Sequence, residues 1–161
     1  LQLWVNLPAK SKMIAPRYNG ILASEVPAVK VEGGEVKVIS GTFEGVKGPM
    51  KELIVDVQYL DVNLQKDASM THEAKEGYNS FCYCLTGSGK FDGEKLEKET
   101  LIIFNEAGLI TVSAETDIRY IFVTGKRLNE PIAWGGPIVM NTQEELQKAF
   151  RELDEGTFIK K

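Results

Sequence analysis

The chain has 161 residues, 43% hydrophobic and 26% charged, and its 19 basic and 23 acidic side chains leave a net charge of −4. That length suits one medium domain with a sizeable core, and with the two signs mixed along it no Lys/Arg block offers a phosphate-tracking surface for direct nucleic-acid binding. No stretch approaches the ~20 apolar residues of a spanning helix, so no membrane partner is expected.

The opening LQLWVNLP lacks an initiator Met and the order of a signal peptide, and a start at Leu1 reads as a fragment or a processed end. Leu1, Leu3, Val5 and Leu7 alternate with Gln2, Trp4 and Asn6, which predicts a half-buried strand ended by Pro8. Pro16, Gly20 and Pro27 then come too close together for a regular element, so residues up to 28 read as a strand followed by an extended arm. Gly33-Gly34 predicts a hairpin between Val29-Val31 and Val36-Ile39. Between Leu53 and Leu64 the alternation changes phase, with Leu53, Val55 and Val57 on one face and Leu60, Val62 and Leu64 on the other. That demands a bulge, bend or break near Tyr59.

Further strands are expected over 78–85, 100–104, 109–113 and 118–124, with turns at Gly87-Ser88-Gly89, Asp92-Gly93, 105–108 and Gly125. Short strands at this spacing predict an all-β sandwich or barrel over 29–141. The end is helical: Thr142 and Glu145 form a capping box, Leu146, Ala149, Phe150 and Leu153 repeat at helical spacing, and Gly156 is the stop. Residues 142–161 are therefore expected as a helix and tail packed on the barrel.

Residues 70–93 carry the one histidine, His72, and both cysteines, Cys82 and Cys84. The cysteines are two apart, too close for easy disulfide geometry, and are expected as free thiols in reducing, cytoplasmic surroundings. The stretch resembles the first motif of a metal-binding cupin, a double-stranded β-helix of jelly-roll type, with its ligands removed. His72 stands at the first histidine position, Ala74 at the second and Asn79 near the carboxylate position. Thr111 falls where the third histidine is expected, after the turn Asn105-Glu106-Ala107-Gly108. In that reading Asn79, Phe81 and Tyr83 share the inner face, the cysteines take the other, and His72, Asn79, Phe81, Tyr83 and Thr111 line a metal-free pocket. A zinc site on His72, Cys82 and Cys84 is disfavoured because the alternation places the cysteines on the wrong face and a fourth ligand is lacking.

The two ends narrow the resemblance. LQLWVNLPAKSKMIAPRY at residues 1–18 is similar to the interdomain segment of the pirin family. NEPIAWGGPIVMNTQEELQKAFRELDEGTF at 129–158 is similar to its closing segment. Pirins are two-cupin proteins. The resemblance implies that the iron, held by three histidines and a glutamate, belongs to an N-terminal cupin absent from this chain. It also implies that this chain is the C-terminal cupin, which has no catalytic residue, no metal and no cofactor of its own. The role this implies is structural or partner-binding, through self-association or an N-terminal cupin contacted by residues Leu1-Leu7. Family activities, a quercetin 2,3-dioxygenase and in animals an iron-dependent transcriptional co-regulator, would depend on the absent half. A small-molecule-binding barrel is the other reading.

Overall fold

The computed structural model describes residues 1–160 and divides into two compact units, one of Ile21–Arg127 and one made of the flanking stretches 1–20 and 128 onward. In the larger unit ten strands follow in order: β1 (Ala28–Val31), β2 (Gly34–Ser40), β3 (Thr42–Phe43), β4 (Val46–Lys47), β5 (Val57–Leu64), β6 (Ser69–Ala74), β7 (Tyr78–Thr86), β8 (Ser88–Phe91), β9 (Glu94–Glu97) and β10 (Leu101–Phe104). Two more, β11 (Gly108–Ala114) and β12 (Ile118–Lys126), complete it. They form a six-stranded sheet of order β1-β2-β5-β12-β7-β10 and a four-stranded sheet of order β6-β11-β8-β9, with β3 and β4 as a separate small hairpin. Every pairing is antiparallel.

One apolar core joins the inward faces of the two large sheets, with Val36, Leu60, Val62 and Phe122 from the six-stranded sheet and Phe91, Leu96, Ile110 and Val112 from the other. Turn chemistry fixes where the strands stop. The β1–β2 hairpin turns on Glu32-Gly33, with Gly33 at φ +66°, and Asp92-Gly93 joins β8 to β9. Gly87, at φ +80°, leads from β7 to β8; a Cβ there would sit 2.1 Å from the Asp117 carbonyl oxygen, so only glycine fits.

The phase slip near Tyr59 has a physical solution. The strand does not begin until Val57, and β2 carries a register shift between Val38 and Ser40, opposite Leu60 and Tyr59. Because β5 starts only at Val57, Leu60, Val62 and Leu64 share its core face while Leu53 and Ile54 precede the strand and stay 43% exposed. On the outer face, Asp61 is held by two hydrogen bonds from Arg119, Nε at 2.9 Å and Nη2 at 2.6 Å, which satisfies an otherwise buried carboxylate.

In the smaller unit, β13 (Ala133–Gly135) and β14 (Ile138–Met140) form a hairpin, followed by α1 (Gln143–Asp154). Leu146 and Ala149 pack with Ala133 and Ile138 in a cluster of their own. The helical stripe has this hairpin as its seat, and Phe150 and Leu153 remain 37% and 49% exposed. Thr142 Oγ1 accepts from the Glu145 N–H at 3.2 Å, and Glu145 Oε2 accepts from the N–H groups of Thr142 and Asn141 at 3.1 and 2.9 Å. Removing the cap in Thr142→Ala is expected to cost about 1 kcal/mol, read as about fivefold faster amide exchange along α1.

The predicted strand at residues 1–7 is not formed: residues 1–8 carry no regular structure and a 3₁₀ turn follows at Ala9–Ser11. Alternation alone does not make a strand; it needs a neighbouring backbone to bond, and no sheet among the described residues includes this segment. It is anchored instead by side chains. The Ala9 N–H donates to Glu130 Oε2 at 2.7 Å, and Lys12 Nζ donates to Asn6 Oδ1 at 2.6 Å and the Val139 carbonyl at 3.1 Å.

Candidate functional site

β6 has the inward period of a two-sided sheet: Met70, His72 and Ala74 are buried while Ser69, Thr71 and Glu73 are exposed. His72 therefore points into the core. Opposite it, β12 sends Ile118, Tyr120, Phe122 and Thr124 inward. His72 Nε2 and the Tyr120 hydroxyl share a hydrogen bond of 2.7 Å. The imidazole stacks on Phe122 at 4.3 Å between ring centroids and 16° between planes. Phe91 meets Tyr120 edge-on at 5.6 Å, and Phe104 lies 5.9 Å beyond Phe91, so five rings run through the interior. Enclosed by apolar groups, His72 has its pKa lowered to about 4 by desolvation, so it is neutral at pH 7. The same burial raises the Tyr120 hydroxyl well above its usual range.

β7 reverses the face expected from sequence. Ser80, Cys82 and Cys84 are buried; Phe81 and Tyr83 are half-buried on the outer face and Asn79 is exposed there, its Oδ1 accepting from Arg127 Nε at 2.8 Å. The alternation is as predicted and its direction is opposite. Register decides it: Cys82 lies between Phe122 and Ile102, and Cys84 beside Tyr120, all strands whose small or ring side chains fill the interior. Thr111 is also on the outer side, its hydroxyl 3.2 Å from that of Thr71 and its N–H bonded to Asp92 Oδ1 at 2.9 Å. Of the five predicted pocket residues, only His72 faces the interior. Tyr120 and Phe122 were missed, although the period-two run Ile118, Tyr120, Phe122, Thr124 was visible.

The donors at the cupin metal positions do not make a coordination set. His72 has its Nε2 engaged by Tyr120, Ala74 carries no donor, and Asn79 and Thr111 lie outside. Both cysteines do face the same interior as the histidine, contrary to the expected parity. Burial pushes both thiols up, so neither is a thiolate, and among the described residues no group of three or more His, Cys, Asp and Glu is placed to hold an ion.

The smaller unit has a groove of about 310 Å³ lined by Trp4, Leu7, Lys12, Ile138, Met140 and Phe158, among others. The same unit leaves several large apolar side chains in solvent: Leu1, Trp4, Ile132 and Trp134 are 79%, 59%, 68% and 70% exposed. Burial lowers the Lys12 pKa, against the opposing pull of Glu130 and Glu145.

Two antiparallel sheets closing on one core, in this strand order, define a cupin of the all-β class. The chain belongs to the pirin family: the family's "Pirin C-terminal cupin domain" matches residues 59–159. Among curated relatives it is 34% identical to a pirin-like protein of Caulobacter vibrioides, over 98% of this chain and 58% of that one. It is 33% identical to the pirin of Mus musculus, over 95% of this chain and 54% of that one. A crystal structure of a quercetin 2,3-dioxygenase from Acinetobacter baumannii superposes with a TM-score of 0.88 at 32% identity, covering 96% of this chain and 55% of that one. The chain thus spans about half to two-thirds of the length of the curated relatives it matches. Among the described residues no helix is long and apolar enough to cross a membrane.

Proposed function

We propose that this chain is the non-catalytic, metal-free cupin of a pirin-like assembly, and that its smaller unit binds a metal-holding cupin half, supplied by the same polypeptide or by another. The observation that carries this is the interior itself. Where a metal-bearing cupin aims several donors at one point, this one has a neutral histidine bonded to a tyrosine and stacked on a phenylalanine. A single imidazole already engaged at Nε2 gives a divalent ion too few ligands to compete with water. The exposed apolar side chains at Leu1, Trp4, Ile132 and Trp134 support a protein partner, because an apolar surface of that kind is costly to leave in water. On this reading, oxygen chemistry of the kind named for the Acinetobacter relative belongs to the metal-holding half.

The test is metal content and flavonol turnover on the purified chain. The expected result is well under one iron, copper, manganese or nickel per chain, unchanged in His72→Gln, with no loss of quercetin. Adding a separately prepared metal-holding cupin half of a pirin gives a complex by calorimetry that Trp134→Glu weakens. Stoichiometric metal that is lost in His72→Gln, or quercetin cleavage by the chain alone, would overturn the proposal.

A further inference from the structure

The two large sheets have four edge strands, and three of them carry the devices that keep edges from pairing. β1 follows Pro27 and displays Lys30, β9 displays Glu94, Lys95 and Glu97, and β6 displays Glu73 with Ser69 and Thr71. The fourth, β10, reads Leu-Ile-Ile-Phe, with no charge and no proline. Leu101 and Ile103 are 52% and 63% exposed.

The backbone of β10 is equally open. Cys84 N–H donates to the Thr100 carbonyl at 3.0 Å, and from there the register pairs Cys82 with Ile102 and Ser80 with Phe104. Hydrogen-bonded pairs alternate along an antiparallel ladder, so Ile102 and Phe104 turn their N–H and C=O groups toward β7 while Leu101 and Ile103 turn theirs outward. The side chains of Leu101 and Ile103 continue an apolar stripe on the outer face, beside Tyr83 and Phe81 and then Ile121 and Val123.

We infer that β10 is a pairing edge for a second copy of this chain, joining two six-stranded sheets antiparallel across a two-fold axis at Ile102. That register places Leu101 of one copy opposite Ile103 of the other, and these are the two residues whose outward N–H and C=O groups need partners. Both pairs form the narrow, doubly bonded kind, and the apolar stripes of the two sheets become continuous. The ends agree in charge. In that register Lys98, which also pairs with its neighbour Glu99 at 3.4 Å, falls opposite Glu106 of the other copy, and Glu99 falls opposite the neutral Asn105. A strand of four residues gives a short seam, so the association is concentration-dependent.

Light scattering after size exclusion, from low micromolar to near-millimolar chain, is expected to show the mass rising to twice that of the chain. The double variant Leu101→Lys with Ile103→Lys is expected to stay at one chain throughout. Both side chains are exposed, so the variant keeps its fold, checked by circular dichroism. Amide exchange locates the contact. The Leu101 and Ile103 amides slow about tenfold at high concentration, while Ile102 and Phe104 are protected at every concentration. A chain that is monomeric throughout, a dimer that survives the lysines, or Leu101 and Ile103 amides indifferent to concentration would each overturn the inference.

Discussion

Replacing Phe122 with alanine is expected to destabilise the larger unit by about 3 to 5 kcal/mol, the range for emptying a large aromatic site in a packed core. Phe122 is 1% exposed, lies between Leu60 and Cys82 in the sheet register, and carries the His72 ring on its face. None of these neighbours can move in to fill the space without breaking a strand pairing or the bond to Tyr120. The informative control is Phe81→Ala. The two residues sit on adjacent strands, but Phe81 faces the outer side and is half-buried, so its truncation should cost roughly half as much or less. Urea unfolding of both variants checks this, with the slope against denaturant held constant to show that the comparison is between like states. Equal costs would mean that β7 does not turn its cysteines to the interior.

That contrast also marks how far the sequence could be read. Local signals were legible because local chemistry settles them: Gly33 and Gly93 at two-residue hairpins, Thr142 and Glu145 at the helix start, and the slip near Tyr59 that no continuous strand can accommodate. Which side of β7 faces inward was not legible. Residues 79–84 alternate equally well either way, and bulk favours Phe81 and Tyr83 for the inside. The decision lies in pairing with β12, some forty residues on, where Tyr120 and Phe122 already fill the interior and leave room beside them only for Cys82 and Cys84. The strand expected at residues 1–7 failed for a related reason, since a ladder partner cannot be read from one segment. β6 went unseen because its inward residues are a methionine, a histidine and an alanine, a weak strand signature.

Lowering the pH from 7 to 5 is expected to remove about 2 kcal/mol of stability through His72 alone. In the unfolded chain this imidazole takes up its proton near 6.5; in the folded barrel desolvation holds that event down to about 4. Between those values the unfolded state binds the proton and the folded state does not, so acid favours unfolding. The contribution is fully present above pH 6.5, falls as the pH drops toward 4, and levels off once the folded protein is protonated as well. The glutamates whose pKa values are lowered, Glu35, Glu144 and Glu152, act at lower pH, and subtraction of His72→Gln removes them from the comparison. Glutamine keeps a hydrogen-bonding partner near the Tyr120 hydroxyl and cannot be protonated, so its unfolding midpoint should be nearly flat from pH 7 to 5. Because the chain has one histidine, its Cε1–H gives a single NMR line to titrate. A midpoint near 6.5 in the folded protein would mean that water reaches the ring and that the interior is not closed. In Phe122→Ala, where the stacking face is lost, that midpoint should climb from about 4 and the acid sensitivity should shrink with it, tying both measurements to one contact.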